Sequence, residues 1–210
     1  MSEYKPDWGK SDRVQRMIRT YPERYTDNFW KTLNHYFSEK DNIDFLEIGC
    51  GPGLFLADVK KRYSGVSTTG LDEQENMLEE AKKRNPDSNF IRAPLDIDFI
   101  HYHGKRYDII FVGFLFHEIA EPLVVFESVG DRLLVGNGKL VIYDFIFSPI
   151  KDYIEHGPFK GTDLTESIRR FPKPAKYSLD DISYLLERAG YKTLQKKRVT
   201  PVAGLVIATV

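Results

Sequence analysis

Phe45-Leu46-Glu47-Ile48-Gly49-Cys50-Gly51-Pro52-Gly53 decides how the rest of the chain is read. An apolar run ends in an acid, and glycines then fall at every second position. This is the pattern of a strand that stops abruptly in a turn with no room for side chains. Glycine tolerates positive φ and lets a ligand lie against the main chain. Leu54 to Tyr63 reads as a helix, which puts the turn at a helix N-terminus.

Two ligand classes use such a turn. A dinucleotide fold wants G-x-G-x-x-G, with the pyrophosphate held at the helix N-terminus. Here the spacing is G-x-G-x-G, and Glu47 stands two residues before the first glycine. That acid repels an anion and favours a cation. S-adenosylmethionine (SAM) carries an ammonium and a sulfonium and no phosphate, and the stretch resembles motif I of the class I SAM-dependent methyltransferases.

The bulk numbers fit one soluble globular domain. The 210 residues are 41% hydrophobic and 29% charged, with a net charge of −1. This balance gives no pull toward nucleic acid or an anionic membrane. The basic runs Lys60-Lys61-Arg62 and Lys82-Lys83-Arg84 fall near predicted helix ends, where cations complement the helix dipole. Cys50 is the single cysteine, which fits a reducing compartment and a cytoplasmic location. Met1 to Lys10 lacks the apolar core of a signal peptide, and the longest apolar stretch, 109–116, is too short to cross a bilayer.

Along the chain, Val14, Met17, Ile18 and Tyr21 recur at helical spacing until Pro22 interrupts them. A second amphipathic helix starts near Thr26 or Asp27, with Phe29, Trp30, Leu33, Tyr36 and Phe37 on its apolar face. Residues 1–40 are read as a helical lid, and 41–210 as the SAM-binding domain. Strands at 43–48, 66–71, 89–92, 107–113 and 139–146 alternate with helices at 54–63, at 73–84 and after Pro122, which implies βαβ units and a parallel sheet. Asn137-Gly138 reads as a turn. Residues 147–177, rich in proline, break the rhythm as a cap-like insertion with a short helical patch near 162–170. Ser178-Leu179-Asp180-Asp181 is a capping box that opens a helix ending at Gly190. Strands 191–199 and 203–210, joined around Thr200-Pro201, close the chain as an antiparallel pair.

This order is similar to the seven-stranded methyltransferase sheet, doubly wound and mostly parallel, with order 3-2-1-4-5-7-6 and the last strand antiparallel. A plain dinucleotide fold lacks the terminal hairpin. The resemblance implies cofactor contacts past the strand ends. Glu47 would hold water or the SAM ammonium, and Gly49, Cys50, Gly51 and Gly53 would form the turn. Asp72 would accept from the ribose hydroxyls or else cap the next helix. In Asp72-Glu73-Gln74-Glu75-Asn76-Met77-Leu78, which is similar to the family's D-x-S-x-x-M-L, Glu73 and Met77 would pack near the adenine. The acid usual after strand 3 is replaced by Ala93, which leaves Asp96 or the Leu95 backbone for the adenine amino group. Gly113 and Phe114 would meet the methionine end.

Methyl transfer is an in-line displacement that needs alignment above all, and a general base where the nucleophile begins protonated. His117, just past strand 4, is the best-placed imidazole. Asp144 and Tyr143 end strand 5 on the same side. Arg169-Arg170 suits a substrate carboxylate or phosphate, or else a solvated helix end. His101 and His103, read as a loop before strand 4, have no third partner, so no metal is expected. The motif N-P-P-Y or D-P-P-Y is absent after strand 4, which argues against amino-methylation of DNA adenine or protein glutamine.

The implied activity is SAM-dependent methylation of N, O or C of a small molecule, giving S-adenosylhomocysteine (SAH), by a monomer or homodimer with no nucleic-acid or membrane partner. The rival readings are a non-catalytic SAM-binding regulatory subunit and an NAD-dependent oxidoreductase.

Overall fold

The sheet is built from strands that alternate two apolar faces. In β1 (Ile43–Ile48), Ile43 and Phe45 pack on one side, and Leu46 and Ile48 on the other. The same split holds for Ile109 and Phe111 against Ile110 and Val112, and for Val141 and Tyr143 against Leu140 and Ile142. Successive side chains of a strand point to opposite faces, so strands covered on both faces read as continuous apolar runs. A computed structural model describes residues 11–38 and 41–210 of the chain. The polar stretch Met1 to Lys10, read above against a signal peptide, lies outside the described residues.

After β1 come α3 (Leu54–Arg62), β2 (Val66–Asp72), α4 (Glu75–Arg84), β3 (Asn89–Arg92), α5 (Ile97–Tyr102) and β4 (Tyr107–Gly113). A single 3-10 turn, Phe116–Glu118, precedes α6 (Pro122–Leu133) and β5 (Leu134–Phe145). Then follow α7 (Ile150–His156), α8 (Leu164–Arg170), α9 (Leu179–Arg188), β6 (Lys192–Arg198) and β7 (Ala203–Thr209). The seven strands lie in the order β3-β2-β1-β4-β5-β7-β6. Pairings are parallel up to β4–β5, and β7 runs antiparallel to both β5 and β6. This is the expected order and hairpin.

Two helical layers cover the sheet. On one face α6 and α9 bring Phe126, Val129, Leu133, Ile182 and Leu186. On the other, α3 brings Phe55, Leu56 and Val59, while α2 (Asp27–Phe37) buries Phe29, Trp30, Leu33 and Phe37, with Phe29 on Phe111 and Tyr143, Trp30 on Phe55 and Phe37 on Phe45. The crossovers that leave β1 and β4 go to opposite faces, so a crevice opens at the carboxyl ends of these two neighbouring strands.

Several boundaries differ from the sequence reading. Helix α1 (Ser11–Arg24) runs through Pro22. The proline sits in its last turn, where Tyr21 and Tyr25 stack at 4.5 Å and the Tyr21 hydroxyl donates to Asp58 at 2.8 Å. Aromatic anchoring outweighs the one lost backbone bond. His101 lies in helix α5, not in a loop, because the Asp96 side chain caps that helix by accepting from Phe99 N at 2.8 Å. Strand β5 starts at Leu134, five residues before the expected position. Asn137, at φ 64°, takes up an irregularity in the β4–β5 register instead of ending the strand. Helix α7 was not anticipated. Its Tyr153 is fully buried and donates to the carbonyls of Ile146 and Pro174, which folds 147–177 back on itself.

Candidate active site

Three acids and a glycine turn meet at the carboxyl ends of β1, β2 and β3. The turn spends its backbone donors internally. Gly49 N and Cys50 N both donate to the Leu71 carbonyl, at 2.8 and 2.9 Å. Gly51 N donates to Asp72 Oδ2 at 2.8 Å, and Gly53 N to the Cys50 carbonyl at 3.0 Å. Pro52 has no N–H. A phosphate cradle needs those donors free, and here they are not.

Gly49, Gly51 and Gly53 sit at φ 73°, 50° and 69°. Their spacing serves two ends. A Cβ on Gly49 would meet Leu115 at 2.8 Å across the crevice, and one on Gly51 would meet Met17 of α1 at 2.9 Å. A Cβ on Gly53 would instead strike Asn85 at 2.6 Å and Ala81 at 2.9 Å. Gly53 does not line the crevice; it lets α3 and α4 pack closely.

Glu47 is buried at the foot of the turn, and its Oε2 has no hydrogen-bond partner among the described residues. Burial, reinforced by Asp72, pushes its carboxyl well above the usual range, against a lowering contact from the Leu56 backbone. Asp72 is raised by burial too, although it accepts from Gln74 N at 2.9 Å as well as from Gly51 N. Two neighbouring desolvated carboxyls, one with an orphan oxygen, are an unfavourable arrangement that a bound cation would relieve.

The crevice opens into a cavity of about 1410 Å³. Glu47, Gly49, Cys50, Gly51, Asp72, Glu73, Met77, Leu95, Asp96, Gly113 and Phe114 all line it. Met77 is nevertheless 2% exposed, and Leu95 leans on the core. Burial raises the Cys50 thiol, with Glu47 and Asp72 adding to the effect, so it stays protonated. Asp96 divides its role, since one oxygen caps α5. Phe114 holds φ 54° while its N–H donates to the Tyr143 carbonyl at 2.8 Å. A bulky residue in this conformation is strained, and the strain turns its ring into the cavity among Tyr25, Tyr143 and Phe145.

Across the cavity, the sequence candidates His117 and Asp144 form a pair. His117 Nδ1 lies 2.6 Å from Asp144 Oδ1, and His117 N donates to Asp144 Oδ2 at 3.0 Å. Asp144 is fully buried. His117 Nε2 is 3.4 Å from Glu118, which pairs in turn with Lys173 of the 147–177 segment. Burial alone would lower the imidazole, but Asp144 and Glu118 carry it up to about 9. Glu118, raised by burial, is brought below its usual range by His117 and Lys173. Tyr143, the third candidate, is fully buried, and its hydroxyl donates to the Arg24 carbonyl at 2.7 Å. It anchors the end of α1. Among the described residues no group of three or more metal-ligating side chains occurs, and no helix is long and apolar enough to cross a membrane.

Known proteins share this frame. A family profile for a methyltransferase domain matches residues 46–140, the glycine turn through β4 and into β5. The trans-aconitate 2-methyltransferase of Rhizobium rhizogenes is 30% identical over 136 residues, covering 62% of this chain and 52% of that protein. The chain has the fold of the class I SAM-dependent methyltransferases. The malonyl-[acyl-carrier protein] O-methyltransferase 1 of Ilyobacter polytropus is 30% identical over 143 residues, 66% of this chain and 47% of its own. The chain thus spans about half the length of these curated relatives. A SAM-dependent methyltransferase structure from Aquifex aeolicus superposes with a TM-score of 0.69 at 20% identity, covering 96% of this chain and 98% of that one. The plantazolicin methyltransferase BamL, solved with SAH and a triazolic desmethylPZN analog, gives 0.74 at 16%, covering 96% and 92%.

In this chain the matched region holds the glycine turn and the acids, whereas α1 and 147–177 lie outside it. The His117–Asp144 pair straddles the boundary. Both residues were named from their strand ends, but their contact joins positions 27 apart, and no local spacing announces it. Arg24 lines the cavity and was missed altogether; its only signal was a place at the end of an amphipathic helix.

Proposed function

We propose that this chain binds SAM in the crevice between β1 and β4 and transfers its methyl group to a small-molecule acceptor in the adjoining cavity. The observation that carries this reading is the buried Glu47 carboxyl with an unpartnered oxygen, under a glycine turn whose N–H groups are already used. This donor set suits a cationic ligand laid against backbone and disfavours a dinucleotide pyrophosphate. When bound, SAM would supply an activated methyl group on a sulfonium.

The chain's own residues then bind and align. Glu47 faces the cationic end, Asp72 stands at the ribose position, and Met77 and Leu95 wall the adenine side. Phe114 and Gly113 bound the passage toward the acceptor. At neutral pH His117 holds its proton, because Asp144 and Glu118 stabilise the imidazolium. It therefore acts as a fixed positive donor at the mouth of the site and does not remove a proton from the acceptor. Helix α1 serves as a lid, and 147–177 as a cap, with Arg16 of α1 donating to the Pro158 carbonyl at 2.5 Å and Lys173 on Glu118. The single buried cysteine supports a reducing, cytoplasmic setting.

A ligand that binds only the folded state raises its stability. SAM or SAH at millimolar concentration is expected to raise the melting temperature, and NAD is expected to leave it unchanged. The reverse result, or no shift with SAM, overturns the cofactor reading. Turnover of a methyl-labelled cofactor with a metabolite panel separates an enzyme from a SAM-binding regulatory subunit.

A further inference from the structure

The cavity is floored by acids and covered by a layer rich in cations. Glu47, Asp72, Glu73 and Asp96 line the side formed by β1, β2 and β3. Arg16, Arg19 and Arg24 of α1, with Lys160, Arg170 and Lys173 of the cap, line the layer that closes over it. The acids there are Glu23, Glu118 and Glu121, and Glu118 is paired with His117 and Lys173. Arg24 sits against the aromatic groups. Its guanidinium lies 5.1 Å from the centre of the Phe114 ring, and one terminal nitrogen donates to the Met17 carbonyl at 3.2 Å. Its Nε is buried with no hydrogen-bond partner, and among the described residues no carboxylate pairs with it. The Tyr143 hydroxyl, bound to the Arg24 carbonyl, fixes where this side chain starts.

We propose that Arg24 grips a carboxylate of the methyl acceptor, so that the acceptor is an organic acid with an apolar body lying on Phe114. The proposal rests on the cofactor reading above for the identity of the other half of the cavity. A guanidinium set against aromatic rings with only neutral acceptors keeps its charge without a counter-ion. The planar fork of arginine matches a carboxylate and can offer two parallel donors. The ring beneath holds the fork flat. The imidazolium of His117 and the bases of the cap add positive potential on the same side, and a cationic or neutral acceptor gains nothing from it.

The test is calorimetric titration of the SAH-saturated protein with benzoate, cinnamate and octanoate, each beside its neutral amide. At least one acid should bind ten-fold or more tightly than its amide. Arg24→Met should cut that acid's affinity at least ten-fold and leave SAH affinity unchanged, which also verifies that the variant is folded. Arg24→Lys, which keeps charge and loses the fork, should fall between. Amides that bind as tightly as the acids overturn the proposal, as does an acid whose affinity survives Arg24→Met. Loss of SAH binding in the wild-type protein would remove the cofactor reading, and the acid-against-amide comparison is then made on the protein without SAH.

Discussion

Glu47 is the residue on which the cofactor reading turns, and its burial makes the reading testable. The carboxyl is desolvated, crowded by Asp72 and half unpartnered, so it adds little to the stability of the empty protein. Glu47→Gln keeps the shape and removes the charge. Its melting temperature without ligand should equal or exceed that of the wild type, while affinity for SAM drops ten-fold or more in a calorimetric titration. Unchanged affinity would take Glu47 out of the site. His117 gives the opposite case, a charge that the fold stabilises. Its pKa is raised in the folded protein to about 9, against about 6.5 in an unfolded chain. The stability it contributes is therefore complete below about pH 6.5 and disappears as pH rises through about 9. The linkage sets an upper bound of roughly 3 kcal/mol. Urea titrations of wild type and His117→Gln at pH 6, 7.5 and 9.5 should show a gap that narrows with pH. A constant gap would mean that packing, not the charge pair with Asp144, holds this histidine.

At the scale of elements, the glycine turn divides between ligand space and helix packing, and the two uses predict different mutants. Gly53→Ala drives a methyl into Asn85 and Ala81 at positive φ, and Asn85 also donates to the Gly53 and Ala81 carbonyls. The change should cost about 2 kcal/mol or more, since strain and overpacking add. Gly104→Ala has the same positive φ and open space around it, so strain alone remains, about 1 kcal/mol. Urea midpoints separate the two. The same scale shows what could be read in the sequence. Strands β1 and β4 were legible because both faces are apolar, and α9 because its capping box forms as written, with Ser178 and Asp181 exchanging hydrogen bonds. The start of β5 was not, because Asn137-Gly138 carries turn chemistry inside a strand, and only pairing with β4 shows that the strand continues. Helix α5 is six residues long, too short for periodicity to register, and its cap, Asp96, is an acid that the sequence also offers, beside the Leu95 backbone, to the adenine amino group. The pairing of His117 with Asp144 follows from the parallel register that sets Gly113 beside Tyr143, a tertiary fact that neither segment states alone.

Across the whole molecule, the sheet and the layer that closes over it differ in how they are held. Helix α2 buries five residues against the sheet, Phe29, Trp30, Thr32, Leu33 and Phe37. Helix α1 is tied instead by a few directed contacts: Tyr143 to the Arg24 carbonyl, Tyr21 to Asp58, and Arg16 to Pro158 of the cap. Regions with few buried apolar contacts open at lower free energy than the core. Amide hydrogen exchange should therefore be slowest in β1, β4, β5 and β7 and much faster in α1. SAH should slow exchange in α1 and in 150–175, because a ligand that fills the cavity is covered by both. Tyr143→Phe removes one of the ties while leaving the aromatic packing. It should speed exchange in the last turn of α1 several-fold, with β5 unchanged. Equal exchange in α1 with and without SAH would separate this helix from the ligand and leave the cap segment as the only cover of the site.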